Sequence, residues 1–402
     1  MTRCLMLACL MAFASTVHAE DWTQFLGAKR DSNCSATVAP WKEKPKELWA
    51  TPVGEGHSSP VVKDGTVFLF YKPKKLEGEA LAAYDLKTGE QRWEKTYTRD
   101  KFTNAFGNGP RGTPAIDGDF VYTFGCNGLL TCWAIKDGEQ KWQLDTLKEF
   151  KAKNLFFGMS TSTTVVGQNV IVMVGGTGAG IIGVDKTTGK LNWQATSDRA
   201  SYASPILDDK KNLVFLTGDH VRALDPANGK EVWSYPFVDE LLESSTTPVL
   251  FGDKVVAASI KSGCVSLSIT GKEVTADWKQ RDLTCYFSTP VVVGEDLYMI
   301  NGDAKTLGGT ILKCVDPKTG KTKWTKPQGG NYAAAILKTK NDLLLLHDDK
   351  GELVLIQPDP KEYKELSRSK VSRFTWAHPT VVDGVYIIRD EKNLLAIELP
   401  KK

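Results

Sequence analysis

Along most of this chain, apolar and polar residues alternate in short runs bounded by Gly, Pro, Asp and Asn, a period-2 pattern that predicts strands and turns. TVFLFY (66 to 71), FVYTF (120 to 124), VIVMV (170 to 174) and LYMI (297 to 300) are such runs. A ten-residue phrase also recurs: YDLKTGEQRW (84 to 93), VDKTTGKLNW (184 to 193), LDPANGKEVW (224 to 233) and VDPKTGKTKW (315 to 324), with a shortened AIKDGEQKW at 134 to 142. In each full copy the Asp stands eight residues before the Trp and the Gly four before it, so one local geometry is implied. Asp caps the backbone, Pro presets a turn dihedral and Gly accepts a positive φ, which makes the phrase a hairpin whose second strand presents a Trp.

A second phrase, Ser/Thr-Pro or its relic opening an apolar strand, precedes each hairpin. It reads SSPVV (58 to 62), GTPAI (112 to 116), STTVV (162 to 166), ASPIL (203 to 207), TTPVL (246 to 250), STPVV (288 to 292), AAAIL (333 to 337) and AHPTV (377 to 381). Four strands per unit and about 44 residues per period are the signature of a β-propeller blade. The expected fold is therefore all-β, an eight-bladed propeller over residues 46 to 399. The ends support that count. The eighth unit stops after three strands at Leu399, while KELWATPV (46 to 53) is an orphan Trp strand with Trp49 lying 44 residues before Trp93. The first strand is expected to complete the last blade and so remove open sheet edges.

Repetition separates scaffold from site. Asp85, Asp185, Asp225 and Asp316 read as turn formers, and Trp49, Trp93, Trp142, Trp193, Trp233, Trp278 and Trp324 as packing between neighbouring blades. Six positions before the hairpin Gly the slot is always small (Ala83, Cys132, Gly183, Ala223, Cys314), so Cys132 and Cys314 read as small core residues. GGTGAG (175 to 180) lies between two strands rather than before a helix, which favours a hairpin loop over a phosphate cradle.

Composition narrows the function. With 402 residues and 41% hydrophobic content the chain can bury a large core. The 51 basic and 48 acidic residues are well mixed, net +3 and +2 without Arg3, so no nucleic-acid surface is expected. Thr2 and Arg3, an apolar run from Cys4 to Ala14 and the Val17-His18-Ala19 site read as a secretory signal over residues 1 to 19, with export to the periplasm or outside the cell. A weaker alternative is lipidation at Cys9 after Met6-Leu7-Ala8. No later stretch is long and apolar enough to span a bilayer. Residues 20 to 45, with Pro40 and Pro45, are expected to form an extended arm. Cys34, Cys126, Cys132, Cys264, Cys285 and Cys314 remain after the signal, an even number that allows disulfides without fixing a pairing, and no CxxC pattern is present.

The hairpin phrase, seen as AAYDLKTGEQRW, GVDKTTGKLNW and ALDPANGKEVW, resembles the repeat of the pyrroloquinoline-quinone-type (PQQ-like) propellers. That superfamily includes quinoprotein alcohol dehydrogenases and the propeller lipoprotein of the outer-membrane β-barrel assembly machine. DWTQFLGAKRDS (21 to 32) is similar to the opening of exported planctomycete-type propellers often labelled PQQ-binding-like. Quinoprotein dehydrogenases typically carry a vicinal Cys-Cys disulfide, a Glu/Asn/Asp calcium site and a catalytic Asp. Here no two cysteines are adjacent, and nothing flanking Glu243, Asn331 or Asp303 marks a calcium set. The favoured reading is an exported, monomeric, non-catalytic propeller that binds an envelope protein or ligand, with no cofactor and no metal expected. The alternative is a PQQ- and calcium-dependent alcohol or sugar dehydrogenase with a divergent site.

Any ligand site is expected at the central channel, where the connections entering the innermost strands converge from all blades. The residues there that differ between blades are His57, Arg111, Arg199, Tyr202, Glu243, Tyr286, Asn331, Tyr332, Arg373, Trp376 and His378. Three arginines in one channel would suit an anionic small ligand, because guanidinium binds carboxylate bidentately. The structural reading of the same residues is local pairing with Asp and Glu, or solvation.

Overall fold

The computed structural model describes residues 21 to 302 and 309 to 401; the expected signal over 1 to 19 and Asp303 lie outside the described residues. The strands form eight antiparallel sheets of four, and seven of these are consecutive in sequence. Blade 1, for example, is Val61–Lys63, Thr66–Tyr71, Gly78–Asp85 and Gln91–Thr98. The eighth sheet joins Thr380–Val382, Val385–Arg389 and Asn393–Glu398 to the early strand Glu47–Pro52. Trp49 pairs with Ala396 and Ala50 with Leu395, so the first strand closes the ring. Thr146–Glu149 is the single helix among the described residues.

The recurring hairpin has the expected chemistry. Asp85 Oδ1 accepts from the amides of Lys87 and Thr88, and the Gly89 amide donates to the Asp85 carbonyl at φ +71°. The small slot faces the Trp across the ladder: Ala83 pairs with Trp93, Cys132 with Trp142, Gly183 with Trp193 and Cys314 with Trp324. Beside each of these pairs the register shifts by a bulge, which aims the indole at the next blade. There the indole covers the neighbouring hairpin glycine. A Cβ on Gly229 would stand 2.4 Å from the Trp193 ring, and one on Gly89 2.5 Å from Trp49. The indole N–H completes the joint, Trp49 donating to Leu86 O at 2.9 Å and Trp193 to Pro226 O at 3.1 Å. The glycine is thus required twice, for its dihedral and for the ring above it.

The Ser/Thr-Pro phrase links blades at the axis. The hydroxyl before the proline accepts the amide of the equivalent residue in the preceding blade: Ser59 N to Thr113 Oγ1, Thr113 N to Ser162 Oγ, Ser162 N to Ser204 Oγ and Thr247 N to Thr289 Oγ1. His378 N to Ser59 Oγ carries the chain of bonds across the closing seam. GGTGAG turns from one strand, Asn169–Gly176, to the next, Ala179–Asp185, as the loop reading requires.

The arm crosses one face of the ring rather than trailing from it. Trp22 bridges to Val62 of blade 1, Thr23 O accepts from the Ile116 amide of blade 2, and Asn33 bridges to Lys338 of blade 7. Arg30 is buried and donates to Thr163 O at 2.6 Å, Pro205 O at 3.1 Å and Gln24 Oε1 at 3.0 Å; burial pulls its pKa down to about 9. The six described cysteines are buried and no disulfide joins them. Burial raises the Cys126, Cys132, Cys264, Cys285 and Cys314 thiols, Cys285 to about 12, so none is poised as a thiolate.

Candidate functional site

The connections between blades line a partly open axial cavity of about 130 Å³. Phe25 of the arm forms part of its wall, edge-on to His378 with ring centroids 5.7 Å apart. Hydroxyls of the Ser/Thr phrases (Ser59, Thr113, Ser162, Ser204, Thr289) also line it, but their oxygens already serve the inter-blade bonds. Rings of His57, Phe157, Tyr202, Phe287, His347, Trp376 and His378 supply part of the remainder. Trp376 is their hub, with centroids 5.0 Å from His57, 6.0 Å from Phe106, 5.3 Å from Phe287, 6.1 Å from Tyr332 and 5.2 Å from Phe374.

Of the residues expected at the axis, His57, Arg111, Tyr202, Trp376 and His378 line this cavity. Arg111 is not free to clamp an anion. Its guanidinium donates to the carbonyls of Phe106, Gly107 and Gly109 at 3.1 to 3.3 Å and lies 5.8 Å over the Phe157 ring. Burial lowers its pKa. Arg199 and Arg373 do not join it. Arg199 is held by Asp219, whose Oδ1 accepts from Nη2 at 2.6 Å and from Nε at 2.9 Å, and Arg373 is exposed. Glu243 accepts from the Tyr286 hydroxyl at 2.8 Å, and the Tyr286 ring stacks on Phe287 at 3.8 Å. Asn331 and Tyr332 contribute their amides, which both donate to the Asp349 carboxylate at 2.8 Å.

Phe25, Phe157, Phe287, His347 and Asp349 are lining residues that the sequence reading did not single out. Phe287 was within reach of the same rule, since it directly precedes a Ser/Thr-Pro phrase. His347 and Asp349 sit at and just beyond the end of Leu344–Asp348, outside any connection, and Phe25 belongs to the non-repeating arm.

The cavity histidines are held neutral. Burial, then the Arg111 charge, brings His57 down to about 3, against the pull of the Phe106 carbonyl that its Nε2–H reaches at 2.9 Å. Burial takes His347 to about 3 and His378 to about 4. His347 Nε2 lies 2.9 Å from Ser372 Oγ, which superficially suggests a nucleophile and its base. The Ser372 hydroxyl donates to the Arg373 carbonyl, however, so His347 donates to the serine and its Nδ1 accepts from the Tyr386 hydroxyl. That polarity is opposite to the one that activates a serine.

A family model described as outer membrane protein assembly factor BamB matches residues 33–179 and 77–326, together more than half of the chain. The chain belongs to this family. Its sequence is 26% identical over 243 residues to the outer membrane protein assembly factor BamB of Burkholderia pseudomallei, covering 56% of this chain and 58% of that one. The chain therefore spans little more than half the length of that relative. BamB from Moraxella catarrhalis superposes with a TM-score of 0.63 at 14% identity, over 88% of this chain and 99% of the other. A europium-containing methanol dehydrogenase superposes at 0.69 and 13% identity, over 94% and 89%. At such identities the likeness speaks for the fold alone. Among the described residues no helix is long and apolar enough to cross a membrane.

The alternative expectation, a dehydrogenase carrying a tricarboxylate quinone and calcium, bears on the same cavity. The one arginine in the lining donates to three backbone carbonyls, and Asp349 is capped by two amides. Among the described residues no group of three or more His, Cys, Asp and Glu could hold a metal ion, and calcium needs six to eight oxygens. The described residues of the lining do not fit that pair.

Proposed function

We propose that this chain is an exported, non-catalytic propeller that binds a protein or another component of the cell envelope. The observation that carries the reading is the state of the axial cavity. Its ionisable groups are Tyr202, histidines that burial makes weak bases, an arginine engaged by carbonyls and an aspartate capped by two amides, and among the described lining no serine hydroxyl is hydrogen-bonded to an imidazole that could activate it. Membership in a family described by an outer-membrane assembly factor supports the envelope as the setting, and residues 1 to 19 supply the export signal with a mature start at Glu20. Fold alone does not assign an activity.

Two measurements test it. Purified protein with pyrroloquinoline quinone and calcium should show neither a thermal shift nor dye-linked alcohol oxidation; turnover would overturn the non-catalytic reading. Affinity capture from detergent-solubilised envelopes, with the bound protein identified by mass spectrometry and its binding reproduced with purified components, should yield a stoichiometric envelope partner. A chain retained in the cytoplasm with residues 1 to 19 intact would remove the setting.

A further inference from the structure

The connections between blades also build a surface outside the axial cavity. We propose that the tip made by residues 100 to 106 and 147 to 157 docks on a lipid surface bearing anionic headgroups. This deepens the envelope reading by naming one component, and it rests on that reading for its setting alone.

The two stretches belong to neighbouring connections, the first between blades 1 and 2 and the second between blades 2 and 3. Asn104 Nδ2 donates to Phe156 O at 2.8 Å, the Phe106 and Phe157 rings meet with centroids 5.6 Å apart, and a Cβ on Gly158 would stand 3.2 Å from the Phe102 ring. On the other side of Phe156, Asn154 Nδ2 donates to Cys126 O at 3.0 Å. Phe156 is therefore held in place from both sides. Its ring leans edge-on against the buried Phe157 at 4.8 Å, yet the residue is 70% exposed, more than any other large apolar residue described, and Phe106 is 43% exposed. Apolar rings already fixed in water have little ordering cost left to meet on docking.

Charge selects the partner. The same two stretches carry exposed Lys101, Lys148, Lys151 and Lys153 against exposed Asp100 and Glu149, and among the described residues no ion pair holds these lysines. A second exposed apolar pair has the opposite surroundings. Val238 and Leu241, 51% and 43% exposed, lie in residues 237 to 248 with Asp239, Glu240 and Glu243 and without lysine or arginine. An anionic surface thus attracts the ring by its blade 2 side and repels it by its blade 5 side. A protein partner fits the tip less well, because lysine is depleted from the cores of protein interfaces. Beside a lipid surface, lysine stems lie along the apolar layer and lift their ammonium groups to the headgroups, while the phenylalanine enters the acyl boundary.

The test sediments the chain from Glu20, which contains every described residue, with vesicles of phosphatidylcholine alone or with about one quarter phosphatidylglycerol. Binding should be about tenfold or more tighter on the anionic vesicles and should weaken between about 0.1 M and about 0.5 M salt. Phe156→Ser, and the double variant Lys151→Gln with Lys153→Gln, should each weaken it about tenfold. The double variant Val238→Ser with Leu241→Ser should leave it unchanged. Equal binding to both vesicles, no binding to either, indifference to the Phe156 and lysine substitutions, or an equal loss in the Val238 and Leu241 variant would each overturn the proposal. So would capture of a purified envelope protein through Phe156 without vesicle binding. If Phe156→Ser fails to fold by circular dichroism, the lysine variant decides. Failure on vesicles leaves the envelope reading standing, since that reading falls to quinone turnover or to retention in the cytoplasm.

Discussion

The rim and the axis of the ring use the same eight blades under different rules. At the rim, one joint is copied: Trp49 over Gly89, Trp93 over Gly138, Trp142 over Gly189, Trp193 over Gly229 and Trp278 over Gly320, with approaches of 2.4 to 2.7 Å to a virtual Cβ. At the axis, Trp376 gathers His57, Phe106, Phe287, Tyr332 and Phe374 from five different connections, and no other blade has such a hub among the described rings. Copies mark what every blade needs to hold its neighbour, whereas differences accumulate where eight connections face one space. The rim can therefore be broken by geometry, and the axis by chemistry.

The largest effect should come from the rim joint that also closes the ring. Trp49→Ala removes a buried indole, its bond to Leu86 O and the cover over Gly89, and should cost about 3–5 kcal/mol in urea unfolding. A loss under about 1 kcal/mol would mean that the closing blade is not latched there. The hairpin glycines sharpen the point. Gly229 (φ +71°) lies under Trp193, while Gly271 (φ +64°), at the corresponding turn of blade 5, has nothing within 4 Å. Gly271→Ala should cost only the left-handed strain, about 1–2 kcal/mol. Gly229→Ala should cost about 2 kcal/mol more, because the Cβ displaces the ring. Equal costs would show that the dihedral alone conserves the joint.

The rim was legible in the sequence because its information is local. The Asp and Gly offsets from the Trp, the small slot opposite it and the unpaired strands at the two ends specify the hairpin, the joint and the closure. The axis was legible only as a place. Position brings Arg111, Arg199 and Arg373 to comparable connections, but side-chain direction is set by whichever partner lies nearest in space: Asp219 takes Arg199, and the 106 to 109 carbonyls take Arg111. Phe25 was hidden for a related reason. Its seat depends on Arg30 reaching carbonyls of Thr163 and Pro205, 133 and 175 residues away.

Acid separates the two regions. Asp85 at the rim is lowered to about 2, by Arg92 first and then by backbone amides, so its contribution is present above about 3.8 and lost as pH falls toward 2. His347 at the axis is lowered to about 3 by burial. Between about 3 and 6.5 the unfolded chain binds a proton that the folded ring refuses, so stability is full above 6.5 and declines as pH falls. At pH 5 the loss should approach about 2 kcal/mol from His347. The gap between urea midpoints at pH 7 and 5 should narrow by about that amount in His347→Gln, with His57 and His378, lowered to about 3 and about 4, keeping the rest. An unchanged pH slope in that variant would place the titration elsewhere.

The smallest effect tests whether the axial hydroxyls act as latches or merely fill space. Thr113 and Thr247 both precede a proline, and both are buried, with 2% and 1% exposure. Thr113 Oγ1 accepts the Ser59 amide at 3.2 Å, whereas Thr247 Oγ1 has no partner. Substitution by Val replaces each hydroxyl with a methyl of nearly equal size, so packing is held constant while hydrogen bonding changes. Thr113→Val leaves a buried amide without its acceptor and should cost about 1–2 kcal/mol in chemical denaturation. Thr247→Val removes a buried hydroxyl that is already unsatisfied and should be neutral or slightly stabilising. Matching losses in the two variants would mean that the ring of hydroxyls contributes bulk alone, and that the blades are joined at their Trp–Gly rim rather than at both ends.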